Sequence, residues 1–314
     1  MSTVPTAVKP SAGLSLKRAR PRYGENVIVG VLALCAFLSV AITVGIVISL
    51  LEPTIEFFGE VSPKEFFTGT EWSPLFANPK FGVLPLLSGT ALTTGVALLV
   101  CVPIGLLSAI YLSEYARTGV RKVVKPVLEL LAGIPTVVYG FFALTFVTPL
   151  LQDVWFFGDP PGVFSAVSAG LVMGIMIVPT VASLSEDAMS AVPQALREGA
   201  YGLGSSRVQV ATRVVFPAAL SGIVASIVLA ISRAVGETMI VLIAAGQRPN
   251  LTFNPVEDVQ TMAAFIGAAG IGDQPTGSTG YKTIFAVGAT LFVITFVMNL
   301  ISIRLVRKYR QVYE

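Results

Sequence analysis

The 314-residue chain is 54% hydrophobic and 12% charged, with a net charge of +3; soluble domains carry about 25% charged residues. Lipid must therefore solvate much of its length, and so small a charge excess gives no reason to expect a nucleic-acid partner. Histidine is absent, which excludes imidazole triads, histidine metal cages and imidazole acid–base chemistry; the two cysteines, Cys35 and Cys101, sit in uncharged apolar runs that suit packing better than a disulfide or a thiolate metal site.

The first 26 residues, rich in Pro, Ser, Ala and basic side chains, read as a flexible cytoplasmic tail. A spanning helix needs about 20 mostly apolar residues, and six runs qualify. They predict an all-α, polytopic integral membrane protein with helices at about 27–51, 84–112, 127–150, 162–185, 216–245 and 283–304. The first run is too long for the apolar core of a cleaved signal peptide, about 7–15 residues, and is expected to remain as a helix. Outer loops fall at 52–83 and 246–282, a cytoplasmic loop at 186–215 and a cytoplasmic tail at 307–314. The first outer loop carries Glu52, Glu56, Glu60, Glu65, Glu71, Trp72 and several Phe, which suits an interfacial or partner-contacting element. In the second, Met262 to Ala269 is apolar but too short to span, and is expected as an interfacial or re-entrant helix.

Basic residues set the orientation, because Lys and Arg are retained on the cytoplasmic side of short loops. With the N-terminus inside, Arg117, Arg121, Lys122, Lys125, Arg197, Arg207, Arg213, Arg304, Arg307, Lys308, Arg310 and the basic residues of the N-terminal tail are all cytoplasmic. Only Lys64, Lys80, Arg248 and Lys282 lie opposite, and both termini are placed in the cytoplasm.

Enzyme chemistry is poorly supplied. Gly270-Ile271-Gly272-Asp273 resembles an element of intramembrane aspartyl proteases, but that mechanism needs a second embedded Asp, and every aspartate falls in a loop or at a helix end. No nucleophile elbow or phosphate-binding loop is present, so nucleotide hydrolysis would require another chain. No catalytic residue, metal or cofactor is predicted. Arg233 and Glu237 are the ionisable groups at depth; four residues apart on one helix, they can pair. Such residues face a bundle interior or an aqueous path. They read either as a self-neutralising pair or as a substrate path in which Arg233 offers an anion a place and Glu237 positions it. Pro103, Pro135 and Pro179 predict kinks, as hinges or as fixed packing features.

The cytoplasmic loop predicts an amphipathic helix, with Ser190 as a cap, Ala195, Leu196, Ala200 and Leu203 as its apolar stripe, and Gly202 and Gly204 as its stop. It could lie on membrane lipid or insert into a partner's groove. Within it, Glu198-Gly199-Ala200, Gly204, Val214, Phe216 and Pro217 have the spacing of the EAA loop of bacterial ABC importer permeases; Gly199, Val214 and Phe216 depart from the pattern conservatively. Further matches are Phe81-Gly82, Leu86-Leu87-Ser88-Gly89-Thr90, Ala109-Ile110-Tyr111-Leu112-Ser113-Glu114-Tyr115, Ala132-Gly133-Ile134-Pro135-Thr136-Val137-Val138-Tyr139-Gly140 and Arg233-Ala234-Val235-Gly236-Glu237-Thr238. Together these resemble the PstC-type phosphate-specific permeases over residues 25 to 310. The resemblance implies a six-helix permease bundle in the bacterial cytoplasmic membrane that pairs with a paralogous permease subunit of the PstA type. It also implies two ATPase subunits and an extracytoplasmic phosphate-binding protein as partners. Glu198, Gly199, Ala200, Gly204 and Pro217 would couple to the ATPase. Another oxyanion, sulfate or molybdate, is the alternative substrate; an ion-coupled secondary transporter is the competing class.

Overall fold

A computed structural model describes residues 23–309 except 77 and 157; the expected tails at 1–22 and 310–314 lie outside the described residues. Those residues form helices, joined by loops, with a single isolated bridge between Trp72 and Phe81. The chain falls into two units, Met1–Ser49 and Leu50–Glu314. In the first, the helix α1 (Tyr23–Glu60) begins, and most of its large apolar side chains from Val27 to Ile48 are exposed, as a lipid-facing span requires.

The second unit starts with the last turns of α1, followed by α2 (Pro63–Thr68) and α3 (Leu84–Ile110). The expected interfacial aromatics of the first outer segment are instead a buried cluster. Phe57, Phe66, Phe81 and Trp72 pack edge to face at centroid separations of 5.6 to 6.2 Å, and Phe265 closes on Trp72 at 5.0 Å. Such edge-to-face contacts set the positive ring edge against the negative face. α1 runs past the expected end at residue 51 to Glu60, with Pro53 inside it.

The third apolar run is divided. α4 (Thr118–Ala132) ends before Gly133-Ile134-Pro135, and the apolar stretch resumes as α5 (Thr136–Phe142), a π-turn (Ala143–Val147) and α6 (Thr148–Val154). Pro135 disfavours helical backbone at Ile134 and lacks the N–H that would continue the ladder, so the span is 136–154 and not one helix over 127–150. α7 (Ala166–Ser190) packs along α3 over most of its length. Gly170 and Gly174 permit this approach: a Cβ at Gly170 would sit 2.7 Å from Val96 Cβ, and one at Gly174 would sit 2.8 Å from the Ala97 carbonyl. Small residues at such contacts let membrane helices close and gain dispersion. Ser185 and Ser226 (2.8 Å) and Thr148 and Ser168 (2.6 Å) add hydrogen bonds between helices.

Next come α8 (Gln194–Gly202), α9 (Arg207–Val210), a π-turn (Ala211–Val215) and α10 (Phe216–Ala218), which meets α11 (Leu220–Val235) at a 72° bend. α12 (Met239–Ala244), α13 (Met262–Ile271) and α14 (Thr279–Tyr309) complete the bundle. The fifth run, expected over 216–245, is therefore bent at Ala219 and broken at Gly236 to Thr238. α13 is the short helix expected at 262–269; Met262, Ala264 and Phe265 are buried, and Thr90 and Thr261 hydroxyls accept its first free N–H groups at 3.0 and 3.1 Å. Among the described residues, five helices can span a membrane, or six counting the bent pair as one span.

Candidate functional site

The interior centre is built where the fifth run breaks. Gly236 is a poor helix former, and α11 stops at Val235. Once the helix stops, the Glu237 carboxylate turns onward: its Oε1 accepts from the N–H groups of Met239 (3.0 Å) and Ile240 (3.2 Å), which would otherwise lack partners at the start of α12. Arg233, one turn back on α11, donates from Nη1 to the Thr180 hydroxyl at 3.1 Å. Of the two readings of Arg233 and Glu237, the self-neutralising pair does not form, because four-residue spacing makes a pair only while the helix continues. Glu237 is buried and Arg233 half-buried. Thr180 follows Pro179 on α7, so the guanidinium links α11 to α7 at the proline expected to kink it. Among the described residues, Thr180 supplies the one hydrogen bond to Arg233, and no carboxylate neutralises the guanidinium.

A second polar centre lies just past the C-terminal end of α3. From Leu86, in the aromatic cluster, to Ala109, packed beside Val192 and Val210, α3 covers roughly 35 Å at 1.5 Å per residue. There a π-turn (Tyr111–Tyr115) delivers Glu114, and α8 lies across the helix ends. Arg197 of α8 is 9% exposed and fully engaged. Its Nε and Nη2 donate to Glu114 Oε1 at 3.3 and 3.1 Å, Nη2 also reaches the Met189 carbonyl at 2.7 Å, and Nη1 the Val192 carbonyl. One guanidinium thereby satisfies the last carbonyls of α7 and fixes α8 to α3 and α7. Beside it, Glu186, fully buried on α7, is paired with Arg121 and with Lys125 (3.0 Å) of α4 and accepts from the Ser190 hydroxyl (2.8 Å). The hydrogen bond from Lys125 to Asp187 raises the Lys125 pKa above its ordinary value.

The expected cap is also corrected. Ser190 is the last residue of α7 and holds Glu186 and Arg121; Pro193 precedes α8 and caps it with no side chain. Glu198, Gly199, Gly202, Leu203 and Gly204 are exposed, Ala200 is half-buried, and Gly204 ends the segment with φ +84°. Pro217 stands in α10, within the elbow that turns the chain into α11. Sequence reasoning grouped Glu198, Gly199, Ala200, Gly204 and Pro217 and assigned no anchoring role to Glu114, Glu186 or Arg197. The available signal was Glu114 beside the basic residues 117–125.

Residues 101–311, which hold both centres, match the family described as "Binding-protein-dependent transport system inner membrane component". The chain belongs to that family. This ABC importer permease is 36% identical over 269 residues to the "Probable ABC transporter permease protein YqgH" of Bacillus subtilis, covering 85% of this chain and 86% of the relative. It is 33% identical to the "Phosphate transport system permease protein PstC" of Mesorhizobium japonicum, with 76% of each chain covered. For the protein of that name from Haemophilus influenzae the identity is also 33%, covering 86% of the permease and 88% of the relative. A chain of a bacterial alginate ABC transporter superposes with a TM-score of 0.58 at 20% identity, covering 92% of this chain and 98% of that one. A chain of the MetNI methionine transporter gives 0.53 at 18% identity, covering 73% and 95%. These structures share the permease's fold. The permease is a multi-pass inner-membrane transport subunit.

Proposed function

We propose that this permease carries inorganic phosphate inward across the cytoplasmic membrane, in a path formed with a paralogous permease of the PstA type. Two ATPase subunits of the PstB type drive it, and an extracytoplasmic phosphate-binding protein of the PstS type delivers the ion. Both termini lie in the cytoplasm, where positive-inside charge puts Arg121, Lys125, Arg197 and Arg207. The observation that carries the reading is Arg233: a half-buried guanidinium in an apolar run, held by one neutral hydroxyl and lacking a carboxylate counter-ion among the described residues. A guanidinium has five N–H donors in a fork that matches oxyanion oxygens. Arg233 lowers the cost of passing a phosphate through hydrocarbon, and a single cation does so without trapping the ion. Glu237 serves the path from the break before α12, where its bonds to the Met239 and Ile240 N–H groups keep the carboxylate off the guanidinium. The relatives named for phosphate transport support this substrate.

Glu198, Gly199, Ala200, Gly204 and Pro217 couple the bundle to the ATPase. ATP-driven movement of a partner against exposed Glu198 passes through Arg197 to Glu114 in the π-turn that follows α3 and to the end of α7, and through the elbow at Pro217 to α11, which bears Arg233. The test is labelled phosphate uptake in cells that lack this chain and retain its partners, with excess sulfate or molybdate as competitor. Restored uptake resistant to both is expected on replacing the gene. Full membrane assembly without phosphate uptake would refute the substrate, and uptake abolished by sulfate or molybdate would reassign it.

A further inference from the structure

The clefts at the α8 end hold more positive charge than the ion pairs consume. A cavity of about 300 Å³ opens between α4, the end of α7, α8 and α9, lined by Arg121, Arg197, Arg207, Gln194, Tyr201 and Ser190 among others. Glu186 offsets Arg121 and Glu114 offsets Arg197. Arg207 has no partner among the described residues, and neither has the Tyr201 hydroxyl or the Gln194 amide. Arg207 is not needed for the local fold: the turn into α9 is secured by a capping box in which Ser206 and Gln209 bond each other's backbone N–H groups. An unpaired guanidinium, a phenol and an amide thus face a polar cleft whose wall, Arg197, is nine-tenths buried and fixed.

We infer that this cleft binds a phosphoryl group, as the free ion or as an acidic lipid headgroup, with Arg207 as its principal ligand and Gln194 and Tyr201 as added donors. The donors suit a tetrahedral oxyanion, since charge-assisted bonds from a guanidinium fork are the strong ones for phosphate. Glu114 uses Oε1 for Ser113 and Arg197, and the net positive charge of the lining outweighs its repulsion of the ion. The site is separate from the path at Arg233. It rests on the proposed function only in identifying the free ion as the imported product on its arrival side; bound there, the ion bridges α8 and α9 to α4.

The test uses the full-length chain in nanodiscs of neutral phosphatidylcholine, titrated by calorimetry with inorganic phosphate and, separately, with water-soluble dihexanoyl phosphatidic acid. Saturable binding is expected, weakened about tenfold by Arg207→Gln, as loss of a charge-assisted bond requires, less by Tyr201→Phe, and unchanged by Arg233→Gln. Saturation by phosphate identifies the free ion; saturation by the lipid alone identifies the headgroup. Both arms must depend on Arg207. Binding that survives Arg207→Gln and Tyr201→Phe, or is lost in Arg233→Gln alone, overturns the inference. Uptake is measured in parallel, so that wild-type binding without phosphate uptake refutes the proposed substrate and leaves the cleft standing.

Discussion

Replacing Arg197 by methionine tests the link between α8 and the bundle. The substitution removes the donors held by Glu114 Oε1 and by the Met189 and Val192 carbonyls, while keeping most of the aliphatic stem. Glu114, whose side chain is 5% exposed, is left as an uncompensated buried charge. Breaking a buried pair by removing one partner costs about 3–5 kcal/mol, more than the roughly 1 kcal/mol of an exposed pair. At about 1.4 kcal/mol per decade, amide protection over 194–202 should fall by at least about a hundredfold in hydrogen exchange. ATP hydrolysis by the assembled transporter should lose its dependence on phosphate delivery. The double variant Arg197→Met/Glu114→Gln should recover part of the protection, because position 114 then carries no unpaired buried charge. Unchanged protection in Arg197→Met would refute the reasoning, and a double variant worse than the single would refute its electrostatic basis.

Glu237→Ala leaves the Met239 and Ile240 N–H groups without their acceptor and should destabilise the α11–α12 junction by about 1–3 kcal/mol, read as a lower thermal midpoint in detergent; Glu237→Gln, which keeps an acceptor oxygen, should cost less. Gly174→Leu forces side-chain atoms against the Ala97 carbonyl and Val100 and should separate α3 from α7 or prevent folding, seen as loss of the monodisperse purified species, whereas Ile175→Leu on the exposed face should be silent. Gly204→Ala must hold φ at +84° with a Cβ and should cost about 1 kcal/mol in the α8–α9 connection, lowering phosphate uptake per ATP hydrolysed; unaltered coupling would count against α8 as the coupling element.

The spans were largely legible because lipid imposes a length and a composition that an apolar run displays directly. Val27–Glu60, Leu84–Tyr115 and Thr279–Arg307 contain the runs read from the sequence, whereas Ala166–Ser190 starts inside the run read at 162–185 and extends beyond its end. The broken spans were harder. Gly133 and Pro135 mark the α4–α5 break, but the same residues also permit a mere kink, and only the surrounding packing selects between them. Arg233 and Glu237 were visible as charges at depth; their separation was not, since it depends on α11 ending at Gly236 and on which N–H groups then stand free. At α8 the apolar stripe was visible and its anchor was hidden. Charged Arg197 reads as solvent-facing on a helical projection, and its burial is decided by the carbonyls of α7 and by Glu114, 83 residues away in sequence. The aromatic cluster was misread for a related reason: Phe57, Phe66 and Trp72 suit an interface as well as a core, and periodicity alone does not distinguish them.

The central claim, that an unneutralised Arg233 lets phosphate cross, is tested most directly by initial rates of labelled phosphate uptake in cells carrying Arg233→Gln, with membrane assembly measured in the same samples. The expected result is loss of uptake with assembly intact, and partial recovery in Arg233→Lys, which restores the charge without the fork. Normal uptake through the Arg233→Gln chain would contradict the account.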